Sequence, residues 1–256
     1  MPRATIAGLG LIGGSIGIAL RASGWRVAYV DPHIELDEAI AAGAADERAD
    51  NLDDTDLAVI ATPLDVARAI LESVDEATRI TSVSSVMEPL RLIADRRRLN
   101  FTAGHPLAGS EQRSLLAARG DLFRGRRWLV DRDDVLVKSM IADCGAIIDR
   151  VEDAGAHDAA LALTSHLPQL LSTALAAYLE ATGIDVIRFG GSGLRTFLRL
   201  AGSEASIWTP VFDANRANLG ASAADVLRVA QSLIDGDAEA FERARQVWSR
   251  LSSAPQ

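Results

Sequence analysis

Along the first 150 residues, short runs of β-forming residues alternate with stretches of helical periodicity. Residues 5–7 read as a strand that stops at Gly8, and residues 12–22 read as a helix. A second strand spans 26–30. Residues 36–42 are helical, with Gly43 as a natural stop. Residues 57–61 form a buried apolar strand closed by Thr62-Pro63, and Pro63 suits the first turn of the helix that follows. A strand at 79–83 precedes a helix at 89–98. A further strand at 101–103 leads into a loop, Gly104-His105-Pro106. Late strands at 128–130 and 146–151 flank a helix from about 134 to 143. This alternation predicts βαβ units and a mainly parallel sheet. After residue 152 the pattern becomes helical. Residues 156–181 are rich in alanine and leucine, and Pro168 inside them predicts a kink or a local rearrangement. Residues 212–235 carry Leu219, Val226, Ala230, Leu233 and Ile234 at helical spacing. Gly236 separates a last amphipathic helix at 238–251.

The expected fold is therefore α/β, with an N-terminal sheet domain over residues 1–152 and an all-helical domain over residues 153–256. The helical half is small for a core of its own, which points to dimerisation through it. Composition adds exclusions. Hydrophobic residues make up 48% and charged residues 24%, an ordinary globular balance that excludes a disordered or collagen-like chain. The net charge of −9 argues against nucleic acid as a partner. Anions can still bind at a local arginine cluster or a helix N-terminus. The single cysteine, Cys144, excludes an internal disulfide and a multi-cysteine zinc site. No stretch of about 18 apolar residues occurs, so no membrane partner is expected. The N-terminal apolar run stops at glycines and does not extend into a signal-peptide core, so a cytoplasmic location is expected.

The strongest physical motif is Gly8-Leu9-Gly10-Leu11-Ile12-Gly13. It follows a strand and opens a helix, the context that a dinucleotide fingerprint of Rossmann type requires. Gly8 permits the tight turn, Gly10 admits the pyrophosphate and Gly13 lets helix and strand pack closely. Leu11 and Ile12 open a helix whose N-terminal amides face the phosphates. Asp31 ends the second strand, 18 residues after Gly13. A carboxylate there can accept both ribose hydroxyls and would repel a 2′-phosphate, so NAD is favoured over NADP. Thr62 and Pro63 end the next strand at the switch-point crevice, beside the same ligand.

A dinucleotide site does not name a substrate. Gly104-His105-Pro106-Leu107-Ala108-Gly109-Ser110-Glu111 places a histidine where a parallel sheet exposes catalytic groups, and Ser165-His166-Leu167-Pro168-Gln169 places another beside a proline. Arg195 and Arg199 are four apart, on one face if helical. Together with Gly-Leu-Gly-Leu-Ile-Gly-Gly-Ser at the start and Arg-Leu-Ala at 199–201, these segments resemble the prephenate/arogenate dehydrogenase family of tyrosine biosynthesis. The resemblance runs from Gly8 to about Leu219. It implies a Rossmann domain followed by a helical dimerisation domain, and a homodimeric oxidoreductase. The implied reaction moves hydride from C4 of a cyclohexadienyl carboxylate to NAD, with loss of carbon dioxide and aromatisation. It also implies roles. His105 is the general base toward the C4 hydroxyl. Ser85 lies near that histidine and the nicotinamide. Arg199 binds a substrate carboxylate through its guanidinium fork. His166 is a substrate-pocket histidine, and Arg195, Asn215 and Arg216 complete the candidate set. No metal is expected, because this chemistry needs no Lewis acid.

The chain departs from the family pattern at several places. Where Asp-Val-x-Ser-Val-Lys is common, it has Ser82-Val83-Ser84-Ser85-Val86-Met87. Gln169 stands where a second histidine is common, and Thr196 where an acidic residue is. Prephenate and arogenate both remain open as substrates, and so does 4-amino-4-deoxyprephenate in secondary metabolism. A β-hydroxyacid or imine reductase on the same plan would usually need a helical-domain lysine or aspartate, and residues 155–199 hold no lysine. A non-catalytic NAD-binding protein is the remaining alternative.

Overall fold

The computed structural model describes residues 1–109, 112 and 114–253; Ser110 and Glu111 of the 104–111 segment lie outside the described residues. The chain divides into two compact units, residues 1–160 with 203–214, and residues 161–202 with 215–256.

The first unit is built on six parallel strands. These are β1 (Arg3–Ala7), β2 (Arg26–Val30), β3 (Glu47–Arg48), β4 (Leu57–Ile60), β5 (Arg79–Ser82) and β6 (Asn100–Thr102), in the order β3-β2-β1-β4-β5-β6. Helices α1 (Leu11–Ala22), α2 (Leu36–Ala41), α3 (Leu64–Ser73) and α4 (Glu88–Arg97) make the crossovers. Strand order reverses between β1 and β4, which creates the switch point of a doubly wound sheet. The central strands read as continuous apolar runs because both faces are covered. Leu57 and Val59 of β4 enter one core cluster with Ile6, Val27 and Tyr29, while Ala58 and Ile60 enter another with Ile80 and Phe101.

Two expectations need correction. The segment 104–106 is a strand, β7 (Gly104–Pro106), and not a loop. The late strands β8 (Arg127–Val130) and β9 (Ile147–Arg150) do not extend the parallel sheet. They join β7 in a second sheet, with β7 antiparallel and β9 parallel to β8. Glycine and proline read as breakers, yet β7 is an edge strand, where a proline without an N–H is tolerated. Gly104 also allows a close approach to β5: a Cβ there would lie 2.7 Å from the Ser82 carbonyl oxygen. A buried ion pair fixes this junction. Arg91 of α4 reaches Asp131 through Nε (2.7 Å) and donates to the Phe101 carbonyl (2.9 Å), and Asp131 accepts the Ala103 N–H (2.9 Å). Helix α5 (Val135–Asp143) starts at Asp134, whose carboxylate accepts the Leu136 and Val137 amides.

After β9 every assigned element among the described residues is helical. Helix α6 (Ala154–Leu161) runs into a π turn over Ala162–His166 and then α7 (Leu167–Thr182). That π turn is the rearrangement expected at Pro168. The proline lacks an N–H and its ring conflicts with the carbonyl four residues earlier, which the wider turn accommodates. Short helices α8 (Val186–Phe189) and α9 (Ser192–Leu198) precede a 3-10 turn at Arg199–Gly202, then α10 (Ala205–Ala214), α11 (Arg216–Ile234) and α12 (Ala238–Ser253). The helix expected over 212–235 is interrupted at Asn215, which caps α11 and uses its side chain elsewhere. Among the described residues, no helix is long and apolar enough to cross a membrane.

Candidate active site

In the first unit, β1 ends in the glycine turn. Gly8 has φ +88°, and a Cβ there would lie 2.8 Å from the Ala61 carbonyl oxygen and 3.1 Å from Thr62 Cγ2. A Cβ on Gly13 would lie 1.9 Å from the Gly8 oxygen, so α1 sits directly on the turn. Gly10 is the N-cap of α1 and supplies no side-chain cap, and the first turn carries no acid. Leu11 is buried and Ile12 half-buried at that N-terminus. Asp31 follows β2. Its Oδ2 accepts the Leu9 amide at 2.9 Å and its Oδ1 the His33 amide at 2.8 Å, so the carboxylate is tied to the turn. Thr62 and Pro63 follow β4, with Pro63 as the N-cap of α3. Thr62 Oγ1 is buried without a hydrogen-bond partner, beside Gly8. An uncapped helix N-terminus, a glycine turn with no room for side chains, a carboxylate at the second strand end and an unsatisfied hydroxyl together fit a dinucleotide.

The same unit holds the candidate acid–base groups. Ser85 lies half-buried in the turn between β5 and α4. His105 sits on β7 opposite Leu129. Its Nδ1 is 3.0 Å from Nε2 of His157, and the rings meet edge to face at 5.1 Å. His157 Nδ1 is 2.7 Å from Asp158 Oδ1. Asp158 Oδ1 also accepts the Met87 N–H (2.8 Å), and its Oδ2 accepts the Glu88 N–H (2.9 Å). His157 and Asp158 are each 1% exposed. Neither was singled out from sequence. The available signal was a histidine followed by a carboxylate inside an alanine-rich helical run, where two polar residues in an apolar face must be paired.

The second unit brings together only part of its candidates. His166, the last residue of the π turn, is 1% exposed. Its Nδ1 lies 3.1 Å from Asn215 Nδ2, and Asn215 Oδ1 accepts from Asn218 Nδ2 at 2.8 Å. Arg195 lies on α9, and Arg199, with helical backbone angles, is its C-cap and opens the 3-10 turn that continues it; both are exposed. Arg216, also exposed, opens α11. Gln169, a departure from the family pattern, is 2% exposed. Its Nε2 donates to the Leu200 carbonyl (2.8 Å) and to Thr173 Oγ1 (3.1 Å), while its Oε1 has no partner.

A doubly wound parallel sheet with a glycine turn at its switch point defines the dinucleotide-binding class of fold, and here the same unit carries a half-buried histidine backed by a buried histidine–aspartate pair. Residues 16–156 match the family model described as prephenate dehydrogenase, nucleotide-binding domain, and residues 153–243 match prephenate dehydrogenase, dimerization domain. "Probable prephenate dehydrogenase NovF" of Streptomyces niveus is 35% identical, over 94% of this chain and 72% of its own length. The prephenate dehydrogenase of Bacillus subtilis is 29% identical over 82% of this chain, and the match spans 63% of that relative. Among solved structures, prephenate dehydrogenase from Aquifex aeolicus in complex with hydroxyphenyl propionate and NAD+ superposes with a TM-score of 0.85 at 22% identity, covering 98% of each chain. The chain belongs to the prephenate dehydrogenase family.

Proposed function

We propose that this chain is a homodimeric, NAD-dependent dehydrogenase that oxidatively decarboxylates a cyclohexadienyl carboxylate, prephenate or arogenate. The observation that carries this reading is His105, a histidine backed by a buried His157–Asp158 pair in the unit that holds the glycine turn. We assign the cofactor to Gly8, Gly10, Leu11, Ile12, Gly13, Asp31, Thr62 and Pro63. Bound NAD would supply the hydride acceptor for C4 of the ring. His105 takes the proton of the C4 hydroxyl as that oxygen becomes a carbonyl. It returns the proton when the ring, having lost carbon dioxide, becomes a phenol. Ser85 is assigned a place beside His105. Arg199 supplies a guanidinium fork for a carboxylate, with His166 and Asn215 as polar recognition groups and Arg195 and Arg216 as further positive charge. In this reading residues 1–152 serve the cofactor, and residues 153–256 serve substrate recognition and dimerisation.

Gln169 supports a second reading of the substrate. The carbonyl of Leu200 requires a donor, which fixes the Gln169 amide with Nε2 toward it and leaves Oε1 as a buried acceptor in need of an N–H or O–H. That demand suits an amine-bearing substrate, arogenate or 4-amino-4-deoxyprephenate, better than the keto acid. The test is NADH formation with the purified protein, NAD and each of the three compounds in parallel. Turnover of one identifies the substrate. Tight NAD binding with no turnover of any would overturn the dehydrogenase assignment.

A further inference from the structure

We propose that Asp158 and His157 are positioning residues that set the tautomer of His105, placing its hydrogen on Nδ1 and leaving Nε2 as the basic nitrogen. The inference rests on the dehydrogenase reading for its catalytic consequence, and on geometry alone for the tautomer. It starts at Asp158. Both of its oxygens face backbone N–H groups, Met87 N at 2.8 Å and Glu88 N at 2.9 Å, at the N-terminus of α4. Backbone amides only donate, so the carboxylate is the acceptor on this side. The hydrogen in the 2.7 Å contact therefore belongs to His157 Nδ1. A neutral His157 then presents Nε2 as a lone pair. The 3.0 Å contact to His105 requires one hydrogen between the two nitrogens, and it comes from His105 Nδ1. His105 Nε2 is left unprotonated, the state a base toward a hydroxyl needs.

The chain of contacts also acts after proton transfer. When the hydroxyl O–H bond breaks and an N–H bond forms at His105 Nε2, the ring becomes an imidazolium. Its Nδ1–H points at His157, whose own Nδ1–H points at a carboxylate. Positive charge arising on His105 is thus stabilised through His157 by a buried anion. The proton goes back from Nε2 to the same oxygen when the phenol forms, so no proton leaves the site.

Asp158 performs a second task through the same two oxygens. The amides it holds belong to the residues that follow Ser85 by two and three positions. One carboxylate thereby fixes the turn carrying Ser85 and, through His157, the ring of His105. This accounts for the tolerance of methionine at position 87, where a lysine is common: the contact made at 87 is through the backbone, and the side chain is fully buried.

The test is nitrogen NMR of protein labelled at histidine, with no substrate present, assigned by comparison with His105→Ala. The expected result is a pyridine-type signal for His105 Nε2 and a pyrrole-type signal for Nδ1. The reverse assignment in the wild-type protein overturns the proposal without any variant. Asp158→Ala removes the acceptor that holds hydrogen on His157 Nδ1, so neither imidazole is confined to one tautomer. The expected outcome is loss of the fixed His105 Nδ1–H assignment and a fall in kcat of about 10²–10⁴-fold with KM little changed, the effect of a catalytic histidine no longer held in its productive tautomer. If that variant does not fold, His157→Gln serves, with loss of the fixed Nδ1–H signal on His105 expected. Retention of the wild-type signals and kcat in a folded variant overturns the proposal. The expected Nδ1–H and Nε2 signals in a wild-type protein inactive on all three substrates would retain the tautomer assignment and discard the dehydrogenase reading.

Discussion

A histidine on an edge strand is an ordinary feature, and what distinguishes His105 is the pair of side chains behind it. Replacing it with alanine removes the only group assigned to take the hydroxyl proton. The expected fall in kcat is about 10²–10⁴-fold, the usual range for an acid–base group, measured in steady-state turnover. Wild-type kcat in His105→Ala would remove it from the mechanism. The role proposed for Arg199 predicts a different outcome, because the carboxylate it would bind is present in both ground and transition states. Arg199→Ala is expected to raise KM with kcat nearly unchanged, and an unchanged KM places the carboxylate elsewhere. Cys144 illustrates the opposite of a functional residue. Burial, with a smaller contribution from the neighbouring Asp143 carboxylate, pushes its thiol up to about 12 from an ordinary value of 9.0. The native thiol therefore stays protonated where an unfolded one ionises. The stability this contributes is complete below pH 9 and is lost as pH rises from there toward 12. At pH 9 the folded protein is expected to resist a thiol-specific disulfide reagent and to react fully after denaturation; rapid reaction of folded protein would contradict the burial.

Elements were legible from sequence where one local pattern decided them. Five of the six strands of the parallel sheet were legible as short β-forming runs, clearest at β4, where a strand covered on both faces has no polar alternation to confuse it. The sixth, Glu47–Arg48, is two charged residues whose strand character comes only from pairing with β2, and the sequence did not show it. The glycine turn was legible because turn, helix start and Asp31 are all short-range. The rest depends on long-range partners. The strand at 104–106 exists because β8, more than twenty residues later, pairs with it. The amides of Met87 and Glu88 find Asp158 some seventy residues downstream. The break at Asn215 likewise reflects a side chain drawn to His166, 49 residues away. Helix α1 provides an element-scale test. A Cβ at Gly13 would sit 1.9 Å from the Gly8 carbonyl oxygen, a backbone atom that cannot rotate away. Gly13→Ala must therefore displace α1 from the turn assigned to the cofactor phosphates. A fall of several degrees in melting temperature and weaker NAD binding are expected by calorimetry, and unchanged values for both would show that helix and turn are not rigidly packed.

At the scale of the whole molecule the two units differ in how they satisfy their apolar side chains. The first buries Ile6, Leu20, Leu57, Ile80 and Phe101 almost completely. The second leaves large apolar groups in solvent, with Tyr178 on α7 67% exposed, Leu227 and Ile234 on α11 64% and 78%, and Phe241 and Trp248 on α12 68% and 70%. Leu227 with Ile234, and Phe241 with Trp248, are spaced seven apart and so share a face of their helices. A net charge of −9 opposes association of identical chains through long-range repulsion, so a dimer must be held by apolar area and not by charge. The family model for residues 153–243 is a dimerization domain. The expected state is thus a dimer whose unfolding is linked to its dissociation. Its melting temperature should rise with protein concentration, because mass action favours the species that buries these faces. Leu227→Glu or Trp248→Glu, changes worth only about 0.5 kcal/mol on a solvated surface, should shift sedimentation to the monomer and lower the melting temperature by several degrees. A monomeric wild-type protein whose melting temperature is independent of concentration, with both variants neutral, would mean that the apolar faces of α11 and α12 are not the surface through which two copies associate.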